Sequence, residues 1–125
     1  MKKLFLVEDN FDNADLVCDI LGGNYHIVHH ADPMEALAAL TQDGTDLPDL
    51  LLLDIGLPGM DGANLLRHIR AYPRLEHIPA IALTAHAMKT EKENLVSAGF
   101  NGYVSKPITD EELLIDAINE HLPKP

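Results

Sequence analysis

Leu50-Leu51-Leu52-Leu53-Asp54 is an unbroken apolar run that stops at a carboxylate. A strand with one wet face alternates apolar and polar residues, whereas a run without alternation is buried on both faces, as in a parallel sheet covered by helices. Asp54 then stands at the carboxyl end of that strand. In open parallel sheets this edge binds ligands, because the loops there vary while the strands hold them rigid, so Asp54 is the first candidate site residue. Ile55-Gly56-Leu57-Pro58-Gly59-Met60-Asp61-Gly62 follows, and its Pro and Gly residues predict a loop rather than a helix.

Outward from this strand the pattern repeats. Leu4 to Val7 is a short β-prone run ending in Glu8-Asp9-Asn10, and it predicts a buried first strand. Phe11, Ala14, Cys18 and Leu21 recur at helical spacing and predict a first helix over 11–21, with Gly22-Gly23 as a left-handed stop. Tyr25 to His30 is a second strand. Asp32-Pro33-Met34-Glu35 opens a second helix with a capping acid and a proline at its first position, and Ala36, Leu37, Ala39 and Leu40 face the sheet. Asn64 to Ala71 predicts a third helix with Leu65, Leu66 and Ile69 inward and Arg67, Arg70 and Arg74 on a solvated face. Pro79 admits only a strand start, so Ala80 to Leu83 is the fourth strand, with Thr84 at its carboxyl end. Met88 to Ala98 is a more polar helix closed by Gly99. Gly102 to Ser105 is the fifth strand, ending at Lys106-Pro107. Thr109-Asp110-Glu111-Glu112 reads as a capping box for a last helix lined by Leu113, Leu114, Ala117, Ile118 and His121. This alternation implies an α/β fold, a parallel sheet with helices on both faces and right-handed crossovers.

The 125 residues, 46% hydrophobic, suit a single domain over 1–125 with a proper core. The net charge is −11, from 20 Asp+Glu against 9 Lys+Arg, and such a field repels nucleic-acid phosphates and anionic lipid headgroups alike. Neither nucleic acid nor membrane is expected as a partner. One cysteine, Cys18, excludes an internal disulfide, fits a reducing compartment and suits a buried helix face. The apolar run after Met1-Lys2-Lys3 is too short for a signal peptide, so a cytoplasmic protein is expected.

Strand ends bring Glu8 and Asp9, Asp54, Thr84 and Lys106 to one edge. Crowded carboxylates repel and raise each other's pKa unless a hard divalent cation neutralises them, and an oxygen-only donor set suits Mg²⁺. Magnesium leaves coordination sites for a phosphoryl oxygen. Lys106 then supplies a point charge to that group and Thr84 a hydroxyl donor. With no base nearby, the Asp54 carboxylate is itself the natural nucleophile and gives an acyl phosphate.

With Glu8-Asp9, Asp54, Leu57-Pro58-Gly59-Met60-Asp61-Gly62, Thr84-Ala85 and Lys106-Pro107 in this order, the chain resembles along its whole length the receiver domains of bacterial two-component response regulators. The resemblance implies a flavodoxin-like sheet of strand order 2-1-3-4-5. It implies that Asp54 is the phosphoacceptor and that Asp9, Asp54 and the backbone carbonyl of Gly56 ligate Mg²⁺, for which Mn²⁺ substitutes, while Glu8 orients a metal water. Thr84 and Lys106 contact the phosphoryl group, Lys106-Pro107 is a cis peptide, and Tyr103 is the aromatic whose inward or outward rotamer reports activation. The donor is a histidine kinase or a histidine phosphotransfer protein. Ala82 to Lys89 looks like the same stretch of stand-alone receivers and of receivers in hybrid kinases. No output domain is expected after the last helix, so the signal is expected to leave through a protein partner on the face of the fourth helix, fifth strand and fifth helix.

Gly56 departs from a common family pattern, because the residue two past the phosphoacceptor often carries a side chain over the site. Water should reach the acyl phosphate freely there, with His86 as the nearest variable side chain. The same glycine disfavours a second reading, a small aspartyl-phosphate phosphatase or phosphotransferase, which needs a general acid at that place. A third, a flavin carrier of the same topology, needs a phosphate-binding loop where Glu8-Asp9-Asn10 would repel phosphate. His26, His29 and His30 alternate faces on one strand, so structural or surface roles are expected for them. Asp61 is expected to cap the third helix, and Asp12 and Asp15 to be solvated.

Overall fold

A computed structural model of the chain describes residues 2–42, 44, 46–57, 59–85 and 89–122. The elements are β1 (Lys2–Val7), α1 (Phe11–Leu21), β2 (Tyr25–His30), α2 (Pro33–Thr41), β3 (Leu50–Asp54), α3 (Gly62–Arg70), β4 (Ala80–Thr84), α4 (Lys89–Ala98), β5 (Gly102–Ser105) and α5 (Glu111–His121). The five strands form one sheet in the order β2-β1-β3-β4-β5, with every pair parallel.

The leucine run explains why β3 is central. Leu51 and Leu53 point into one core with Phe5, Val7, Ala80 and Ala82, beneath residues of α2, α3 and α4 such as Leu40, Leu66 and Leu95. Leu50 and Leu52 point into the other, with Leu4, Leu6, Ile81 and Leu83, beneath Val17 and Leu21 of α1 and Leu114 and Ile118 of α5. All four leucines are fully buried, and each such side chain contributes about 1.5–3 kcal/mol.

Helix rotations differ in places from the sequence expectation. The inward stripe of α1 is Ala14, Val17 and Leu21, with Cys18 half-buried. Phe11 instead stands 66% exposed in the first turn and meets His29 edge to face, ring centroids 6.0 Å apart. Burial and the neighbouring Asp15 and Asp19 raise the Cys18 thiol above its usual value, opposite to a reactive thiolate. Gly22 is right-handed (φ −62°, ψ −18°), not left-handed, and glycine is needed there because a Cβ would lie 2.6 Å from the Cys18 carbonyl oxygen. Gly99 does take the left-handed stop, at φ +106°.

Asp32 caps α2 and Asp61 caps α3 as expected, accepting from Glu35 N–H and Asn64 N–H at 3.1 and 2.7 Å. The third helix starts at Gly62 rather than Asn64, because the turn set by Asp61 is already helical. Asp110, not Thr109, caps α5, accepting from Glu112 N–H at 3.0 Å. The stripe turns with it, so Leu113 is 63% exposed and Ile115 packs inward instead. Among the arginines only Arg67 fits a plain solvated face, with a bond to Asn64. Arg70 is half-buried and donates to the carbonyls of Leu75, Glu76, Ile78 and Gly99, tying the end of α3 to the chain on either side of β4. Burial lowers its pKa from the usual value. Arg74 reaches back to the Leu40 and Gln42 carbonyls. Among the described residues no helix is long and apolar enough to cross a membrane.

Candidate functional site

Register places the site. Val7 pairs with Leu53, so Glu8, the next residue, arrives beside Asp54; Asp54 pairs with Leu83, and Thr84 with Ser105, so Thr84 and Lys106 close the other flank. Glu8, Asp9 and Asp54 each offer a carboxylate oxygen within 4.8 Å of the others, with Glu8 and Asp54 buried and Asp9 exposed. Lys106 Nζ sits between two of them, 3.0 Å from Asp54 Oδ1 and 3.1 Å from Glu8 Oε1. The Lys106–Pro107 peptide is cis. Gly56 N–H donates to Asp54 Oδ1 at 3.0 Å, and Glu8 Oε2 accepts from Asn10 N–H at 3.3 Å.

Asp9, Asp54, Gly56, Thr84 and Lys106 together line a cleft of about 340 Å³. Tyr103 lies apart on β5, 38% exposed, its ring outward. The cleft also contains Asn10 and Asn13 from the start of α1 and Glu91 from α4, which sequence reasoning did not single out. Asn10 carried a signal, since a capping residue directly after a strand end sits at the site edge by construction; it accepts from Asn13 N–H at 3.0 Å. Glu91 carried none, because its placement depends on how α4 is rotated. Pro58, His86 and Met88 lie outside the described residues. His29 Nε2 meets the Glu8 carbonyl oxygen at 2.8 Å, His30 stacks on Phe5 and His26 is exposed, which agrees with the structural or surface roles expected of these three.

The electrostatics follow from burial. Burial raises the Glu8 carboxyl from 4.5 to about 7, helped by the hydrogen bond and charge of Asp54 and opposed by Lys106. For Asp54 burial also acts upward, but hydrogen bonds from Glu8, Lys106 and the Gly56 N–H outweigh it and the net shift is downward. Burial alone would lower Lys106, and its contacts with Asp54 and Glu8 raise it instead. The metal-free site near neutrality is therefore an ionised Asp54 and an ionised Lys106, with Glu8 poised to lend its proton to Asp54. Three hard oxygen donors in this spacing fit Mg²⁺, which would remove the need for that proton.

A pH-dependent stability follows. In the unfolded chain Glu8 ionises near 4.5, so between that value and about 7 the folded state holds a proton the unfolded state has lost. The Glu8 contribution is full below pH 4.5 and is lost as pH rises through about 7. Glu8→Gln cannot titrate. In chelator, its melting temperature relative to the parent should climb from pH 5 to pH 8, equivalent to on the order of 1–3 kcal/mol. Parallel profiles for the two proteins would refute this account of Glu8.

A doubly wound α/β sheet with a lysine-bridged acid cluster at its carboxyl edge defines a class of protein, and the sequence comparison agrees: the model of the response regulator receiver domain matches residues 4–119. The chain belongs to this family, whose members are signalling switches. It is 36% identical over 109 residues to the polar-differentiation response regulator DivK of Brucella anthropi, covering 86% of each chain. It superposes with TM-score 0.82 on the receiver domain of the sensor histidine kinase PA1611 from Pseudomonas aeruginosa, 33% identical over 96% of each chain and solved with a magnesium ion coordinated in the active-site cleft. The chemotaxis response regulator CheY4 of Vibrio cholerae shares the fold, with TM-score 0.88 at 24% identity over 98% of this chain and 99% of that one.

Proposed function

We propose that this chain, as one receiver domain over 1–125, is a phosphorylation-activated signalling switch of the cytoplasm. The observation that carries the reading is the buried Asp54 carboxylate at the end of β3, held 3.0 Å from Lys106 Nζ with Glu8 and Asp9 beside it. An Asp54 oxygen attacks the phosphorus of a phosphohistidine on a histidine kinase or histidine phosphotransfer protein. A P–O bond forms, the P–N bond breaks, and the imidazole nitrogen keeps the electron pair and takes a proton from water. Asp9, Asp54 and the Gly56 carbonyl would hold Mg²⁺ and Glu8 would orient a bound water, and the ion would supply positive charge to offset the carboxylates and the phosphoryl group. Lys106 moves from Asp54 to a phosphoryl oxygen, and the Thr84 hydroxyl donates to another. Gly56 supports a switch over a phosphatase, since a Cβ there would meet nothing nearer than Asp54 Oδ1 at 3.9 Å and the residue two past Asp54 carries no general acid.

The signal leaves through protein. Thr84, drawn to the phosphoryl oxygens, frees room toward Tyr103, which turns inward and changes the face of α4, β5 and α5. That face has a hollow of about 320 Å³ between Tyr103, Pro107, Ile108 and the exposed Leu113, suited to an apolar partner side chain. The net charge of −11 argues against nucleic acid or an anionic membrane as partner. The test is transfer from radiolabelled histidine kinases and histidine phosphotransfer proteins of the source organism. Label should pass to this chain within seconds to minutes with Mg²⁺ and stay on the donor in chelator. No transfer from any donor would refute the reading.

A further inference from the structure

Lys92, near the start of α4, carries its ammonium over the ring of Tyr103, 5.1 Å from the ring centroid. In a chain with 20 acids against 9 Lys+Arg, carboxylates are abundant, yet among the described residues Lys92 makes no ion pair. Nor does the Tyr103 hydroxyl have a hydrogen-bond partner among them. The specific contact that fixes the outward ring is therefore the one with the ammonium. Tyr103 pairs in register with Ala82, and Thr84 lies two residues further on the same face of β4, so an inward turn carries the ring over a methyl group toward Thr84 and off Lys92.

We propose that Lys92 is a latch: its cation–π contact holds Tyr103 outward and sets the resting population of the switch. This rests on the reading of Asp54 and Tyr103 given above. A contact of this kind at an exposed site shifts a two-state equilibrium about two- to fivefold. A ligand that needs the inward state binds more weakly by that factor while the latch is in place. The sign distinguishes the latch from simple field effects. Removing a positive charge from a wall near the cleft should weaken binding of an anion, whereas removing a latch should strengthen it.

The experiment titrates trifluoroberyllate, a phosphoryl mimic, with Mg²⁺ into the full chain and follows amide shifts around Asp54 and in β5. Lys92→Met keeps the length of the side chain without its charge and should bind about two- to fivefold more tightly than the parent. Lys92→Arg keeps a cation over the ring and should match the parent. In a Tyr103→Leu background the tightening by Lys92→Met should vanish, because the latch has nothing to hold. Unchanged or weaker binding by Lys92→Met, or tightening that persists without Tyr103, overturns the latch while leaving Asp54 as the acceptor. A parent that binds no trifluoroberyllate overturns both.

Discussion

Asp54→Asn should leave the protein unlabelled by small acyl phosphate or phosphoramidate donors, while the parent is labelled in Mg²⁺ or Mn²⁺ and not in chelator. The expectation follows from charge and nucleophilicity together. The carboxamide has the size of the carboxylate but no anionic oxygen to form the P–O bond, and it contributes little to holding a cation. Loss of the fold is not an available explanation for a null result. Lys106 keeps its 3.1 Å contact with Glu8 when Asp54 is neutralised, so the variant should still unfold cooperatively in chelator, at or below the parent's temperature because the Lys106–Asp54 ion pair is gone. Labelling that survives the substitution, or that persists undiminished in chelator, removes Asp54 from the centre of the mechanism.

Why so much of this site was legible in the sequence is a matter of topology. In a parallel sheet every strand ends at the same edge, so a residue's place at the end of an apolar run already says which neighbours it will meet. Glu8, Asp54, Thr84 and Lys106 converge for that reason, and Leu50 to Leu53 declare the two-sided burial that makes the sheet parallel. Helix rotation is less constrained. A shift of the inward stripe by one position puts Val17 inside and Phe11 outside, and moves Leu113 out and Ile115 in, with little change in the apolar periodicity from which it is read. The cation–π pair of Lys92 and Tyr103 and the approach of Glu91 to the cleft depend on the same rotation in α4. Arg70 was illegible for another reason. All but one of its partners, the Asn101 side chain, are backbone carbonyls, which every residue has, so no pattern of side chains marks them.

Gly62→Ala should be among the most damaging single-methyl changes in the chain, and the expectation runs against helix propensity. Gly62 is the first residue of α3 and does not have a positive φ, so on propensity alone alanine would stabilise the helix, by up to about 1 kcal/mol in an interior position. Sterics point the other way. A Cβ at Gly62 would lie 2.4 Å from the Asp54 carbonyl oxygen and 3.0 Å from the Asp54 carbonyl carbon and Ile55 Cα, all of them backbone atoms that no rotamer change can clear. The helix start must back away from the end of β3, which breaks the 3.1 Å bond from Gly62 N–H to the Ile55 carbonyl that closes the loop carrying Gly56. Overpacking of this kind costs about 1–3 kcal/mol, and contact with rigid backbone belongs at the upper end, so the clash outweighs the propensity gain. Gly56→Ala is the control, since its Cβ meets nothing nearer than 3.9 Å and should change stability by no more than about 0.5 kcal/mol. Urea denaturation and the rate of labelling at Asp54 read both consequences. Gly62→Ala should unfold at lower urea and label more slowly than Gly56→Ala; a Gly62→Ala protein as stable as the parent would show that the close seat of α3 on the phosphoacceptor strand is not what glycine provides there.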